Sequence, residues 1–348
     1  MSDTVKESIV DKYWYTDRPV PLWLKGLSKV FRQVAGTRRL AYRLHLRPVY
    51  RAPVPVIVVG NLNVGGTGKT PLVAWLTDYL SRVGYRPGVV SRGYGGQARQ
   101  WPQQVRPDSD PATVGDEAVL LARHCRCPMA VGPDRSAAVR ELLAHTDVNV
   151  IISDDGLQHY ALARDLEIVV IDGDRRFGNG LCLPAGPLRE PHSRLDTVDF
   201  RVVNNGDAEA NETGMRLVFK QVRNVADSSD TREIADFAQG KVHAVAGIGN
   251  PGRFFRQLRA ARLNPLEHPF DDHHRFSAED LSFDDDYPVL MTEKDAVKCE
   301  RFARKDLWYV AVDAELPRDF GERVVKRLEE KIATRKDKWT ASFSTSSS

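Results

Sequence analysis

The stretch Val56-Ile-Val-Val-Gly60-Asn-Leu-Asn63-Val64-Gly65-Gly66-Thr67-Gly68-Lys69-Thr70-Pro71 decides the fold. An apolar β-branched run, a Gly-rich loop and the start of a helix follow one another, which is the context a phosphate-binding loop requires. Glycines let backbone N–H groups turn inward around phosphate oxygens, and the helix N-terminus adds partial positive charge. In this reading Asn63, Val64, Gly65, Gly66, Thr67, Gly68, Lys69 and Thr70 form the cradle. Lys69 reaches the β and γ phosphates, and the Thr70 hydroxyl is placed to ligate Mg²⁺. Asn63 stands where the first Gly of such loops usually does, and the tolerance of Asn for left-handed backbone angles keeps the turn possible.

Outward from the loop, short β-branched runs alternate with helical spacing. Residues 54–59, 86–91, 128–131, 148–152, 166–171 and 200–203 read as buried strands, and helical patterns such as 71–83 and 118–124 fall between them. Continuous apolar strands separated by helices imply a parallel sheet covered on both faces. An extended strand at 215–222 leads away into a second α/β pattern, with strands at 242–246, 288–291 and 308–312 and a helix at about 251–262. The expected organisation is an N-terminal basic arm (1–51), a phosphate-loop core domain (52–204), a smaller α/β domain with its linker strands (205–335) and a disordered Ser/Thr-rich tail (336–348).

The 348 residues carry 50 Lys or Arg against 47 Asp or Glu, a near-neutral total that hides an uneven distribution. Arg18, Lys25, Lys29, Arg32, Arg38, Arg39, Arg43, Arg47 and Arg51 occur in a stretch without any Asp or Glu, so the rest of the chain is net negative. Within this arm Trp23, Leu27, Val30, Phe31 and Val34 recur at helical spacing, and Gly36 is expected to end the run. Such an amphipathic helix can lie in a membrane interface with its basic residues on anionic headgroups, or pack its stripe on the protein core. The composition excludes disordered, collagenous and polytopic membrane classes, and no stretch reads as a spanning helix or a signal peptide. The four cysteines include no C-x-x-C pair and read as reduced thiols, with a Cys125/Cys127 metal site as the alternative, so a cytosolic setting is expected.

A phosphate loop requires a metal-organising acid at the end of a neighbouring strand, and Val148-Asn-Val-Ile-Ile-Ser-Asp154-Asp155-Gly supplies two. Transfer to an alcohol requires a proton acceptor. Asp116 and Glu117 begin the helix after Gly115, and Asp272-His273-His274 lies in the second α/β pattern, where a carboxylate and an imidazole can tune one another.

Together with Ser91-Arg-Gly-Tyr-Gly-Gly96, Val114-Gly-Asp-Glu117, Gly132-Pro-Asp-Arg135, Asp154-Asp-Gly-Leu-Gln-His159, Pro187-Leu-Arg-Glu190 and Thr292-Glu-Lys-Asp295, these motifs occur in an order that resembles the tetraacyldisaccharide 4'-kinase family, the lipid A kinases of Gram-negative envelopes. The resemblance implies transfer of the ATP γ-phosphate to the 4'-hydroxyl of an acylated glucosamine disaccharide 1-phosphate, forming lipid IVA at the cytoplasmic face of the bacterial inner membrane. It implies Asp116 as base with His273 as partner, and Asp154, Asp155 and Glu190 around Mg²⁺. Arg135 and Arg189 would neutralise phosphate charge, Gln158 and His159 would line the site, and residues 91–96 would contact lipid or phosphate. An anionic membrane surface is the implied partner, with no nucleic acid and no obligate protein partner. Two other readings keep the loop without the lipid: a membrane-associated P-loop ATPase, and a GTP-driven metal chaperone. Val64 occupies the place of the extra lysine the first would carry, and Thr292-Glu293-Lys294-Asp295 misplaces the lysine of a guanine-recognition motif.

Overall fold

The computed structural model describes residues 9–272 and 274–344. Helix α1 spans Leu22–Arg43. The first half then runs β1 (Val56–Gly60), α2 (Lys69–Arg82), β2 (Pro87–Ser91), β3 (Gln103–Gln104), α3 (Pro111–Val114), α4 (Asp116–Cys125), β4 (Met129–Val131), α5 (Arg135–His145), β5 (Val150–Asp154), β6 (Leu166–Asp172) and β7 (Phe200–Asn204). The second half runs β8 (Thr213–Asn224), β9 (Thr231–Arg232), β10 (Lys241–Ala246), α6 (Pro251–Ala260), β11 (Asn264–Pro269), β12 (Val289–Thr292), α7 (Glu293–Cys299), β13 (Leu307–Glu315) and α8 (Phe320–Ser344).

The strands form one sheet in the order β11-β10-β12-β13-β8-β7-β6-β1-β5-β2-β4-β3, with β9 beside β8. It contains two parallel blocks, β7-β6-β1-β5-β2-β4 and β11-β10-β12-β13. The expected α/β architecture with a parallel P-loop sheet is what is seen. In the first block both faces of each strand are apolar and covered. Ile57 and Val59 pack with Leu72, Leu76 and Phe320, and Val56 and Val58 pack with Val139 and Leu142 on the opposite face.

The twelve-residue β8 sets how the blocks meet. Its first residues pair parallel with the C-terminal end of β7, Met215 beside Asn204, and residues 216–224 pair antiparallel with β13. The strand therefore runs outward from the C-terminal edge of the first block, and β13 runs back beside it. Ligands bind outside the carboxyl ends of parallel strands. Here two such edges face one another.

Three elements differ from the sequence reading. Helix α1 does not stop at Gly36, where a side chain would meet nothing within 4 Å. A mid-helix glycine costs about 1 kcal/mol, which the surrounding Leu, Arg and Ala residues offset. Leu24 and Ser28 are buried and Phe31 packs on the core, whereas Trp23, Leu27, Val30 and Val34 are 63%, 50%, 57% and 64% exposed. Core packing thus fails for four of the five stripe residues. Strand β11 is unpredicted because Pro265 and Pro269 argue against a strand, and it is tolerated because it pairs only with β10 at the sheet edge. Helix α8 continues past Lys336, where the sequence reading begins a disordered tail, following the helical spacing of Phe320, Val324, Leu328 and Ile332.

Among the described residues no helix is long and apolar enough to cross a membrane. The cysteines are free, and no group of three His, Cys, Asp or Glu side chains among the described residues is placed to hold a metal ion.

Candidate functional site

The loop after β1 is held open by the chain segment carrying Arg189 and Glu190. Asn63 forms an antiparallel bridge with Leu188, the Val64 N–H donates to the Pro187 carbonyl (2.9 Å), and the Arg189 N–H donates to that of Leu62 (2.7 Å). Asn63 therefore takes no left-handed turn. Its amide is buried and donates to the Arg176 carbonyl (2.7 Å). The left-handed residue at the helix entrance is Gly68 (φ +89), where a Cβ would sit 2.2 Å from the Asn204 amide nitrogen. That amide donates to the Thr67 carbonyl (3.0 Å) and pins the loop to β7.

Lys69 begins α2 and points back across the loop. Its Nζ donates to Asn61 Oδ1 (3.2 Å) and lies 3.4 Å from Asp155 Oδ1. Arg189 Nη1 lies 3.1 Å from each oxygen of the same carboxylate. Burial alone would raise the pKa of Asp155, but Lys69 and Arg189 hold it well below the usual carboxylate range. Its neighbour behaves oppositely. Asp154 ends β5, is buried, and accepts from Ser91 Oγ (3.1 Å) through Oδ2, while Oδ1 has no hydrogen-bond partner. Burial pushes its pKa up to about 6 against the pull of Lys69. Two adjacent carboxylates thus have different chemistry, one neutralised by cations and one with an oxygen left for a ligand.

Glu190 does not join them. Its carboxylate is buried, accepts from the Tyr160 hydroxyl and from Gln158 Nε2 (3.2 Å), and lies near Arg194. The sequence reading grouped Asp154, Asp155 and Glu190 around one ion, and the structure divides them among three environments. Gln158 also donates to the Asn61 carbonyl (3.2 Å), tying Glu190 to the loop. Burial takes the pKa of His159 down to about 4, and its Nε2 lies 3.9 Å from Asp134. Arg135, in the first turn of α5, is buried and donates to the carbonyls of Pro133 (3.2 Å) and Asp155 (3.3 Å).

Asp116 is the first residue of α4. Its Oδ1 accepts the N–H of Glu117 (2.9 Å) and its Oδ2 lies 3.8 Å from Lys298 Nζ. Glu117 accepts from Lys294 Nζ (2.9 Å), which also reaches Asp272 (3.3 Å). Burial opposes the charge on Lys294, yet Glu117, Asp272 and Asp116 raise its pKa above the ordinary lysine value. His273 lies outside the described residues. His274 faces away, its Nε2 3.1 Å from Asp280 Oδ2 and its ring against Phe270 and Phe276.

Part of this set borders a cleft of roughly 1060 Å³ between the two sheet edges, lined among others by residues 66–71, Glu117, Asp154, Asn250, Arg253 and Lys294, whereas Gln158, Arg189 and Glu190 line a separate pocket with Phe31 and Tyr160. The sequence reading missed the loop after β10. Gly249 approaches the phosphate loop so closely that a Cβ would lie 3.1 Å from the Gly66 nitrogen, and its carbonyl accepts from Arg175 (2.5 Å). Arg253 reaches Asp172 (3.2 Å) across the same junction. The signal was present as Gly247-Ile-Gly249-Asn250-Pro251, a strand exit followed by an Asn cap and a proline at the helix start.

The family model described as LpxK, tetraacyldisaccharide-1-P 4'-kinase, matches residues 20–329. The chain is 56% identical over 323 residues to the tetraacyldisaccharide 4'-kinase of Nitrosococcus oceani, covering 93% of this chain and 95% of that one. It is 49% identical over 320 residues to the enzyme of the same name from Methylobacillus flagellatus, covering 92% and 95%. Among solved structures, the "apo" form of LpxK from Aquifex aeolicus in complex with ATP aligns with a TM-score of 0.73 at 25% identity, over 88% of this chain and 98% of that one.

Proposed function

The chain belongs to the tetraacyldisaccharide 4'-kinase family, and from that premise we propose how its residues move the γ-phosphate of ATP to the 4'-hydroxyl of an acylated glucosamine disaccharide 1-phosphate. One observation carries the reading: the phosphate loop, the half-satisfied Asp154 and the Glu117–Lys294 pair beside Asp116 border one cleft. Neither rival reading, a lipid-independent ATPase or a GTP-driven chaperone, is favoured by relatives that are named lipid kinases over nearly their whole length.

The transferred phosphoryl group passes through a loose transition state, so catalysis is mostly positioning and charge neutralisation. Residues 63–70 wrap the phosphates, Lys69 turns from Asp155 toward the β and γ oxygens, and Arg135 and Arg189 approach the equatorial charge. Asp116 accepts the proton of the attacking hydroxyl, with His273 as its partner. Mg²⁺ fits Thr70 on the cleft wall and the partnerless Oδ1 of Asp154, whereas the bonds of Glu190 to Tyr160 and Gln158 hold it apart. When bound there, the ion would neutralise charge on the β and γ phosphates. Residues 52–204 act as the kinase core and residues 205–335 as the unit that covers it.

The exposed apolar face of α1, flanked by Lys25, Lys29 and Arg32, supports a seat for the enzyme on the anionic cytoplasmic leaflet of the inner membrane, beside a lipid substrate. Each basic residue near such a surface contributes about 1 kcal/mol. The test of the activity is transfer of labelled γ-phosphate from ATP to purified disaccharide lipid, with Lys69→Ala as control. ATP hydrolysis that leaves the lipid unlabelled would overturn the reading.

A further inference from the structure

Helix α7 places two lysines four residues apart, one turn of helix and therefore one face. Lys294 meets Glu117 and Lys298 meets Asp116, so two consecutive carboxylates at the start of α4 each face an ammonium group from the other half of the molecule. The anchor is Asp295, which is fully buried. Its Oδ2 accepts the Gly247 N–H at the end of β10 (2.9 Å) and the Thr292 hydroxyl (2.6 Å), and its Oδ1 accepts from Lys298 (2.9 Å). Lys298 thereby lies between the buried carboxylate of Asp295 and that of Asp116, with the Phe276 ring 5.6 Å from its ammonium.

We propose that Lys298, assisted by Lys294, is a positioning residue for the phosphoryl transfer, holding the Asp116 carboxylate in the orientation that receives the acceptor's proton. The proposal rests on Asp116 being the base. The Glu117 N–H donates to Oδ1 of Asp116 and the Lys298 ammonium lies 3.8 Å from Oδ2, so each oxygen faces a positive partner that biases the carboxylate plane. Because α4 and α7 come from different sheet blocks, the Lys298 part of this orientation is supplied across the junction of the two blocks. Among the described residues, the charged groups around Asp116 include Glu117 on its own helix, Lys294 and Lys298 on α7, and, through those lysines, Asp295 and Asp272. Removing one of the two cations leaves more negative charge around Asp116 and shifts its proton affinity upward.

The test uses the full-length enzyme, labelled ATP and tetraacyldisaccharide 1-phosphate in detergent micelles, with Lys298→Met and Lys298→Arg made in wild-type and Asp116→Asn backgrounds. Lys298→Met is expected to lower kcat by about tenfold or more, change the KM for ATP by less than about twofold, and move the acid limb of kcat/KM to higher pH. Lys298→Arg should restore most of the rate. In the Asp116→Asn background Lys298→Met should cost less than about twofold, since a residue acting through Asp116 has nothing left to act on. Wild-type kcat in Lys298→Met beside a dead Asp116→Asn overturns the positioning role and leaves the base assignment standing. An active Asp116→Asn enzyme overturns the base assignment itself. If Lys298→Met fails to fold because Asp295 is left a buried lone charge, the double variant Asp295→Asn, Lys298→Met removes both charges. Loss of kcat in the folded double variant supports the proposal, and a wild-type kcat overturns it.

Discussion

The Nζ of Lys69 lies 3.4 Å from Oδ1 of Asp155, so the phosphate-loop lysine is held by the strand-end carboxylate at the mouth of the site. The same carboxylate binds Arg189, and two cations that would otherwise repel are kept together for an incoming polyanion. Asp155→Asn removes that support. The kcat/KM for ATP is expected to fall about 10- to 100-fold in initial-rate assays, with Asp155→Glu intermediate; an unchanged value would show the ion pair to be incidental.

Asp154 separates stability from activity. A buried carboxylate with one partnerless oxygen is a poor element of a resting fold, and burial already raises its pKa to about 6. Asp154→Asn keeps a carbonyl oxygen for the Ser91 hydroxyl while removing the charge. We expect kcat to drop by about 10²-fold or more and the melting temperature to hold or rise. A clear loss of melting temperature would mean that the charge is satisfied in the resting enzyme.

Adjacent residues on α1 should respond in opposite ways. Leu24 is 1% exposed and packs with Val20 and Ala185, so Leu24→Ala is expected to cost about 2–5 kcal/mol in chemical denaturation. Trp23 faces outward, and Trp23→Glu with Leu27→Glu should leave the melt unchanged but weaken sedimentation with anionic vesicles. Changing Lys25, Lys29 and Arg32 to Glu should weaken sedimentation as well, most visibly at low salt. Sedimentation that ignores both sets would end the membrane role of this face.

The junction of α4 and α7 carries a pH-dependent contact on the wall of the cleft. His124 Nε2 lies 2.8 Å from Glu293 Oε2, and although burial by itself would lower the imidazole pKa, the hydrogen bond and charge of Glu293 raise it above the ordinary value. A histidine whose pKa is raised by folding contributes stability that is complete below its unfolded pKa of about 6.5 and lost as pH rises through the folded value. The difference in melting temperature between wild type and Glu293→Gln should therefore be largest near pH 6 and shrink above neutrality. A pH-independent difference would show that the charge on His124 is not what matters.

The legible part of this protein was local. Residues 56–71 specify strand, loop and helix through neighbours alone, since β-branched residues, glycines and the helix start act within a few positions of one another. The buried strands of the first block were equally readable, because both faces are covered and the runs are continuously apolar. Strand β11 was not, because proline weighs against a strand unless the strand is known to lie at an edge, and edge position is a property of the whole sheet.

The candidate site shows the same limit more sharply. Glu190 is adjacent to Arg189 in sequence and shares its motif, yet one carboxylate is turned to Tyr160 and the other side chain to Asp155, a division made by partners some thirty residues away. The chemistry available at the loop, its lysine, hydroxyl and strand-end acids, was determined by the amino-acid sequence alone. Tertiary structure decided which of those acids keeps a free oxygen, which face of α1 meets solvent, and that two sheet edges oppose each other across a cleft. It does so because β8 leaves one block and β13 returns along it, joining α4 to α7 through charges separated by some 180 residues, a distance over which no local pattern operates.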